Sequence, residues 1–419
     1  MSKEGLRSVL VPLYTWFGNA PDMMRKGKKI DIGAFAESLV YYDKVFVNIE
    51  NKAQLYALLD WFKQSDSPDA IVTLMNQGEL FFYYYDFVSA PVHLVEADAY
   101  KFVNIQSEKH SRLDLFKRYV VGGDIDTYYS TKGKRKAFFR ALEDGVITVE
   151  ARTFGKAINN AKQFVLEPGN YKCILENLLS SLKQAGFPVP VPEITVCKER
   201  VGPSEVRLHT NIDFDSISQQ IGKKYQFGKH TPLAIASTTN RLLWSSAILG
   251  SDIYISSPTY DLLCDKVDEV ISHFRDTKRN LKRLSVQVDF PNIREEVNRD
   301  LITANDVLRI RGISSDFRSW LHTQVDLDRD IIASYYNDII ERSGLRPCTR
   351  KLLRIALLTT VTTSGAVAGS VIGGDIGATI GTGISSSAAG AFLSDLFERL
   401  KTGWSPKIFG DSVREIVRE

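Results

Sequence analysis

Five glycines, Gly365, Gly369, Gly373, Gly377 and Gly381, follow one another at a constant step of four residues. On an α-helix that step returns to nearly the same face, so the segment reads as helix with a bare stripe of backbone along one side. Each glycine inside a helix costs about 1 kcal/mol against alanine. A stripe of five is tolerable only where backbones gain by close contact. Helices pack that way in lipid, where no hydrophobic force drives them together and van der Waals fit must.

The surroundings of the stripe carry the argument further. Twenty uncharged residues run from Ile355 to Gly374, Asp375 interrupts, and nineteen more run from Ile376 to Ser394. As helices these arms are about 28–30 Å long, the thickness of a bilayer's hydrocarbon core. Ser385 and Ala389 continue the small-residue series. Arg346, Arg350, Lys351 and Arg354 precede the segment, and Arg399, Lys401 and Lys407 follow it. A turn at Gly373-Gly374-Asp375 places both basic ends on one side, as the positive-inside rule favours for a cytosolic face. Against insertion, the arms are poor in leucine, rich in serine and threonine, and interrupted by Asp375. A charge at the bilayer centre costs about 2.5–3.5 kcal/mol on insertion scales. A conditionally inserting hairpin, a hairpin packed in a water-soluble core and one unbroken helix all stay open.

Residues 355–397 resemble the glycine-zipper motifs of membrane-associated bacterial proteins, including the two-span type. In layout, a folded body followed by a glycine-rich tail, the chain is similar to membrane effectors of prokaryotic antiviral defence, such as those paired with short Argonautes. The resemblance implies helix self-association in a membrane. It covers no motif of the body.

The body has an ordinary folded composition, with 44% hydrophobic and 25% charged residues in 419. A net charge of +3 excludes a strong general attraction to nucleic acid, so any polyanion contact must be local. Cys173, Cys197, Cys264 and Cys348 are far apart and read as reduced thiols. With no secretion signal expected at the N-terminus, the chain is placed in the cytosol, with conditional association with the inner membrane.

Pattern and caps predict an α+β chain: a mixed α/β body, a helical region, then the glycine-rich hairpin. Asp31, Asn51 and Thr231 read as helix caps, "KVFVNI", "ELFFYYYDF", "VITVEA", "EITVCKE", "EVRLHTNI" and "IYIS" as strands, and "GKRKAFFRALEDG" as a basic helix. The expected divisions are residues 1–151 and 152–289 as two α/β domains, 290–345 as a helical region, and 346–419 as hairpin and tail. One order recurs weakly: helix, aspartate (Asp43, Asp252), short apolar strand, capped loop, helix.

Chemistry is sparse. There is no phosphate-binding glycine loop, nucleophile elbow or H-E-x-x-H. The six histidines, His93, His110, His209, His230, His273 and His322, are scattered, so no metal and no cofactor is expected. Asp31, Glu37, Asp43 and Asp86 could make a metal nuclease only if they converged, whereas Asp43 precedes its strand and Asp31 reads as a cap. Two basic clusters are candidate anion-binding surfaces: Lys132, Lys134, Arg135, Lys136 and Arg140 beside Tyr128 and Tyr129, and Lys278, Arg279, Lys282 and Arg283. Tyrosines beside cations suit single-stranded nucleic acid, and cations alone suit anionic lipid.

These features lead to a non-enzymatic membrane-acting effector whose hairpin inserts or oligomerises on activation. The expected partners are an anionic membrane, further copies of the chain and an activating protein. A nucleic-acid- or protein-binding module with the hairpin as core is the other reading.

Overall fold

The computed structural model describes residues 7–18, 20–84, 87–94, 99–106, 112–148, 166–201, 206–225, 227–254, 293–315 and 317–319. In chain order these form β1 (Ser8–Pro12), α1 (Pro21–Arg25), α2 (Ile32–Tyr41), β2 (Lys44–Asn48), α3 (Lys52–Gln64), α4 (Ala70–Asn76) and β3 (Leu80–Tyr84). There follow β4 (Phe87–Leu94), β5 (Ala99–Gln106), α5 (Arg112–Leu115) with a π-helical continuation over Phe116–Val121, α6 (Lys132–Gly145) and β6 (Val146–Thr148). The remainder comprises α7 (Pro168–Gln184), β7 (Val196–Arg200), β8 (Val206–Thr210), α8 (Phe214–Ile221), α9 (Thr231–Leu249), β9 (Asp252–Ile253), α10 (Ile293–Asn298) and α11 (Ala304–Ile313).

The short apolar runs SVLVP, KVFVN and LFFYY are what strands covered on both faces require. They build a parallel sheet in the order β6-β3-β2-β1-β9. Val9, Val11, Val45, Val47 and Phe82 point to one face and share an apolar cluster with Phe35, Leu55, Leu58 and Phe62 of α2 and α3. Alternate residues turn to the other face. There the Tyr83 hydroxyl donates to Ser245 Oγ of α9 at 2.9 Å, so helices cover both sides.

The antiparallel sheet runs β4-β5-β8-β7. A second apolar cluster lies beside it, with Tyr171, Leu175 and Leu179 of α7, Phe214 of α8 and Leu233 of α9. Phe17, from the loop between β1 and α1, enters this cluster and meets Phe227 edge-on at 5.3 Å.

Two of the expected caps form: Asp31 accepts from the Ala34 amide, and Asn51 and Gln54 make a reciprocal capping box. Thr131, which the sequence reading does not mark, caps α6 by accepting from the Lys134 amide. Thr231 differs: it lies within the first turn of α9, and its hydroxyl accepts from the Gly228 amide at 3.0 Å. The paired strands β4 and β5, in the register Phe87↔Gln106, are absent from the sequence reading. Pro91 argues against a strand, yet β4 is an edge strand, where a missing amide is tolerated.

The expected division near residue 151 cuts through both sheets. Val9 pairs with Asp252 and Leu10 with Ile253, while Tyr100 pairs with Val206. Helices α10 and α11 then add Ile293, Val297, Val307 and Ile310 to the first cluster. The described parts of these three segments therefore share layers.

Candidate functional site

At β1 the sheet changes direction, with β2, β3 and β6 added on one side and β9 on the other. The crevice beyond the carboxyl ends at such a point is where parallel α/β sheets take ligands. At this end the protein's own groups bond one another. Asp31 donates its amide to the Leu13 carbonyl at 2.8 Å and caps α2 through the Ala34 amide at 2.9 Å. Its carboxylate also accepts from Arg294 Nε and from Asn298 Nδ2, both at 2.7 Å. Asn298 Oδ1 takes the Gly33 amide at 3.1 Å, so the leading amides of α2 are satisfied internally.

One turn deeper, the Tyr254 hydroxyl donates to Glu37 Oε2 at 2.5 Å. Burial pushes the Glu37 carboxyl above its ordinary range, and the tyrosine and Arg294 pull it partly back. Burial, then the neighbouring Glu37, pushes the Tyr254 phenol well up. With Arg294 and Asn298 bonded to Asp31, the cluster ties α10 to α2. Asp22 faces Arg294 at 3.5 Å and closes the outer side.

On the sheet's other face, Glu50 Oε1 accepts from Asn48 Nδ2 at 3.0 Å and from Arg241 Nη2 at 3.2 Å. Burial pushes the nearby Tyr83 phenol up to about 12, against its hydrogen bond to Ser245 and the charge of Arg241. At the sheet's amino edge, the Arg7 amide donates to Asp43 at 3.1 Å and its guanidinium to Asp252 at 2.8 Å. The two aspartates of the recurring sequence pattern thus meet one arginine, with their strands on either side of β1. The orphan carbonyls at the end of α2 are also filled: Arg311 donates to those of Leu39, Tyr42 and Asp43 and pairs with Glu79 at 2.8 Å.

The candidate nuclease acids do not converge. Asp31 and Glu37 belong to the crevice, Asp43 sits at the opposite edge with Arg7, and Asp86 lies outside the described residues. Among the described residues no group of histidines, cysteines and acids is placed to hold a metal ion. His209 is exposed and bonds Glu199 at 2.9 Å.

Of the first basic cluster, Lys134 pairs with Asp69 at 2.6 Å and Arg135 with Asp126 at 3.2 Å. Lys132, Lys136 and Arg140 are exposed. The adjoining tyrosines are not a stacking platform. Tyr129 is 0% exposed and stacks on Phe138 at 4.8 Å, because the turn before α6 folds it inward. Tyr128 lies edge-on to Tyr56 and donates to Asp60 at 2.5 Å. Lys278, Arg279, Lys282 and Arg283, and Gly365, Gly369, Gly373, Gly377 and Gly381, lie outside the described residues.

The sequence reading missed Arg294, Asn298 and Tyr254 as partners of Asp31 and Glu37. No local pattern marks them, because their meaning comes from packing across more than two hundred residues.

Fold and site together define a mixed α/β protein built on a parallel sheet, with Asp31, Arg294 and Asn298 bonded to one another at the head of α2. Comparison with family models, with curated proteins and with solved structures finds no match for the chain. Among the described residues no helix is long and apolar enough to cross a membrane.

Proposed function

We propose that the chain is a non-enzymatic, membrane-acting effector. Its α/β body acts as a cytosolic carrier, and its glycine-rich segment, residues 355–397, is the acting part. The observation that carries this reading is the unbroken four-residue step from Gly365 to Gly381, set between two uncharged arms of bilayer length and flanked by arginine and lysine. The arrangement of the body supports a carrier role. Arg294 and Asn298 bond Asp31 at the head of α2, and the first amides of that helix are already bonded. On activation the arms associate through their glycine faces and perturb an anionic bilayer, possession of which would suit a defence effector of the layout described above.

Dye release from phosphatidylglycerol-containing vesicles by the full chain, at neutral and mildly acidic pH, tests the proposal. Release, with the protein recovered in the vesicle fraction, is the expected result. Intact vesicles and a protein that never leaves the aqueous fraction would contradict it and leave the binding-module reading.

A further inference from the structure

Helix α6 conflicts with its own electrostatics. Lys132, Lys134, Arg135 and Lys136 crowd its first turns, and no acid stands there. Cations at that end oppose the helix dipole. Lys132, Lys136 and Arg140 also follow one another at four-residue spacing, so like charges stack on one face, which destabilises a helix. Local conflicts of this kind are kept where a function requires them.

The fold keeps the stripe outside. Phe138, Ala141, Leu142 and Gly145 are the buried side of α6, while Lys132, Lys136 and Arg140 are exposed. Lys134, also exposed, and the half-buried Arg135 are paired with Asp69 and Asp126. The other three form no ion pair with a described acid. Glu143 is engaged by Lys117 at 3.4 Å, and Asp144, at the end of the stripe, makes no pair with Arg140. Packing does not require Gly133 either: a Cβ there would meet nothing within 4 Å, so this turn presents open backbone between its cations.

We propose that the stripe Lys132, Lys136 and Arg140 is the surface by which the folded body docks on an anionic lipid bilayer. Its choice of occupant rests on the membrane-acting reading and on the aromatic geometry. A single-stranded nucleic acid needs ring faces beside the cations. Tyr129 is buried, and Tyr128 is half-buried with Lys63 Nζ over its ring at 5.2 Å and Tyr56 against its side. The stripe therefore offers charge alone, and charge alone suffices for lipid headgroups.

Co-sedimentation of the full chain with phosphatidylcholine vesicles, and with vesicles also containing phosphatidylglycerol, tests the proposal at low and high salt. Wild type binds only the anionic vesicles, and salt weakens it. The triple variant Lys132→Gln, Lys136→Gln, Arg140→Gln binds them about 100-fold more weakly. Its thermal midpoint stays the same or rises, because repulsion on α6 is relieved. Lys134→Gln, which removes an already paired cation, binds as wild type does. Unchanged vesicle binding by the triple variant would overturn the proposal, as would an oligonucleotide that displaces the vesicles from wild type. The two readings fail separately. Binding through α6 without dye release removes the effector role but keeps the docking surface, whereas undiminished release by the triple variant does the reverse.

Discussion

Arg294 and Asp31 are 263 positions apart in the chain, yet guanidinium Nε and carboxylate Oδ2 meet at 2.7 Å across the head of α2. The carboxylate serves three masters at once, capping its own helix, holding Asn298 and pairing with the arginine. Asp31→Ala therefore removes a cap and strands a largely buried cation, a loss of about 3–5 kcal/mol. Arg294→Met should cost less, since Asp31 keeps the Ala34 amide and Asn298. Denaturant unfolding of the two variants measures the order, and equal losses would contradict it.

Gly33 and Gly133 should respond in opposite directions to alanine. A Cβ on Gly33 would stand 2.1 Å from the Arg294 carbonyl oxygen and 2.6 Å from Asn298 Nδ2, so α10 must move off α2. Overpacking of this kind costs about 1–3 kcal/mol. A Cβ on Gly133 meets nothing, and alanine there stabilises α6 by up to about 1 kcal/mol. Thermal midpoints that move the same way in both variants would contradict the packing described for α2 and α10.

Glu37 gives stability a specific pH dependence. Its carboxyl is raised above the ordinary 4.5 by burial, so the folded chain keeps this proton where the unfolded chain has lost it. The sign follows from linkage: stability from this group is present below 4.5 and is lost as pH rises through the raised folded value. Glu37→Gln cannot titrate and still accepts from Tyr254. Relative to wild type, the variant should therefore gain stability as pH rises through that window. Thermal melts at a series of pH values check this, and a constant difference between the two proteins would contradict it.

What was legible in the sequence is local. Asp31 and Asn51 announce helix starts because a cap bonds an amide only three residues away, whereas Thr231 falls inside the first turn of α9. The apolar runs of β1, β2 and β3 announce buried strands because covering both faces removes alternation. What was not legible is long-range. Nothing near Asp252 says that β9 pairs with β1, and nothing near Tyr128 says that Tyr129 turns inward onto Phe138. Arg294 reads as one surface charge in "NIREEV" until α10 is laid on α2. The candidate site was half visible in the same way: Asp31 as a cap, its partners not at all.

One measurement separates the glycine stripe's close packing from plain hydrophobicity. Gly369 and Gly373 are replaced together, by alanine in one protein and by leucine in another, and dye release from phosphatidylglycerol-containing vesicles is compared with wild type. Close backbone contact predicts reduced release for alanine and near-complete loss for leucine. Release that rises with leucine, as greater apolarity alone would produce, would contradict the account.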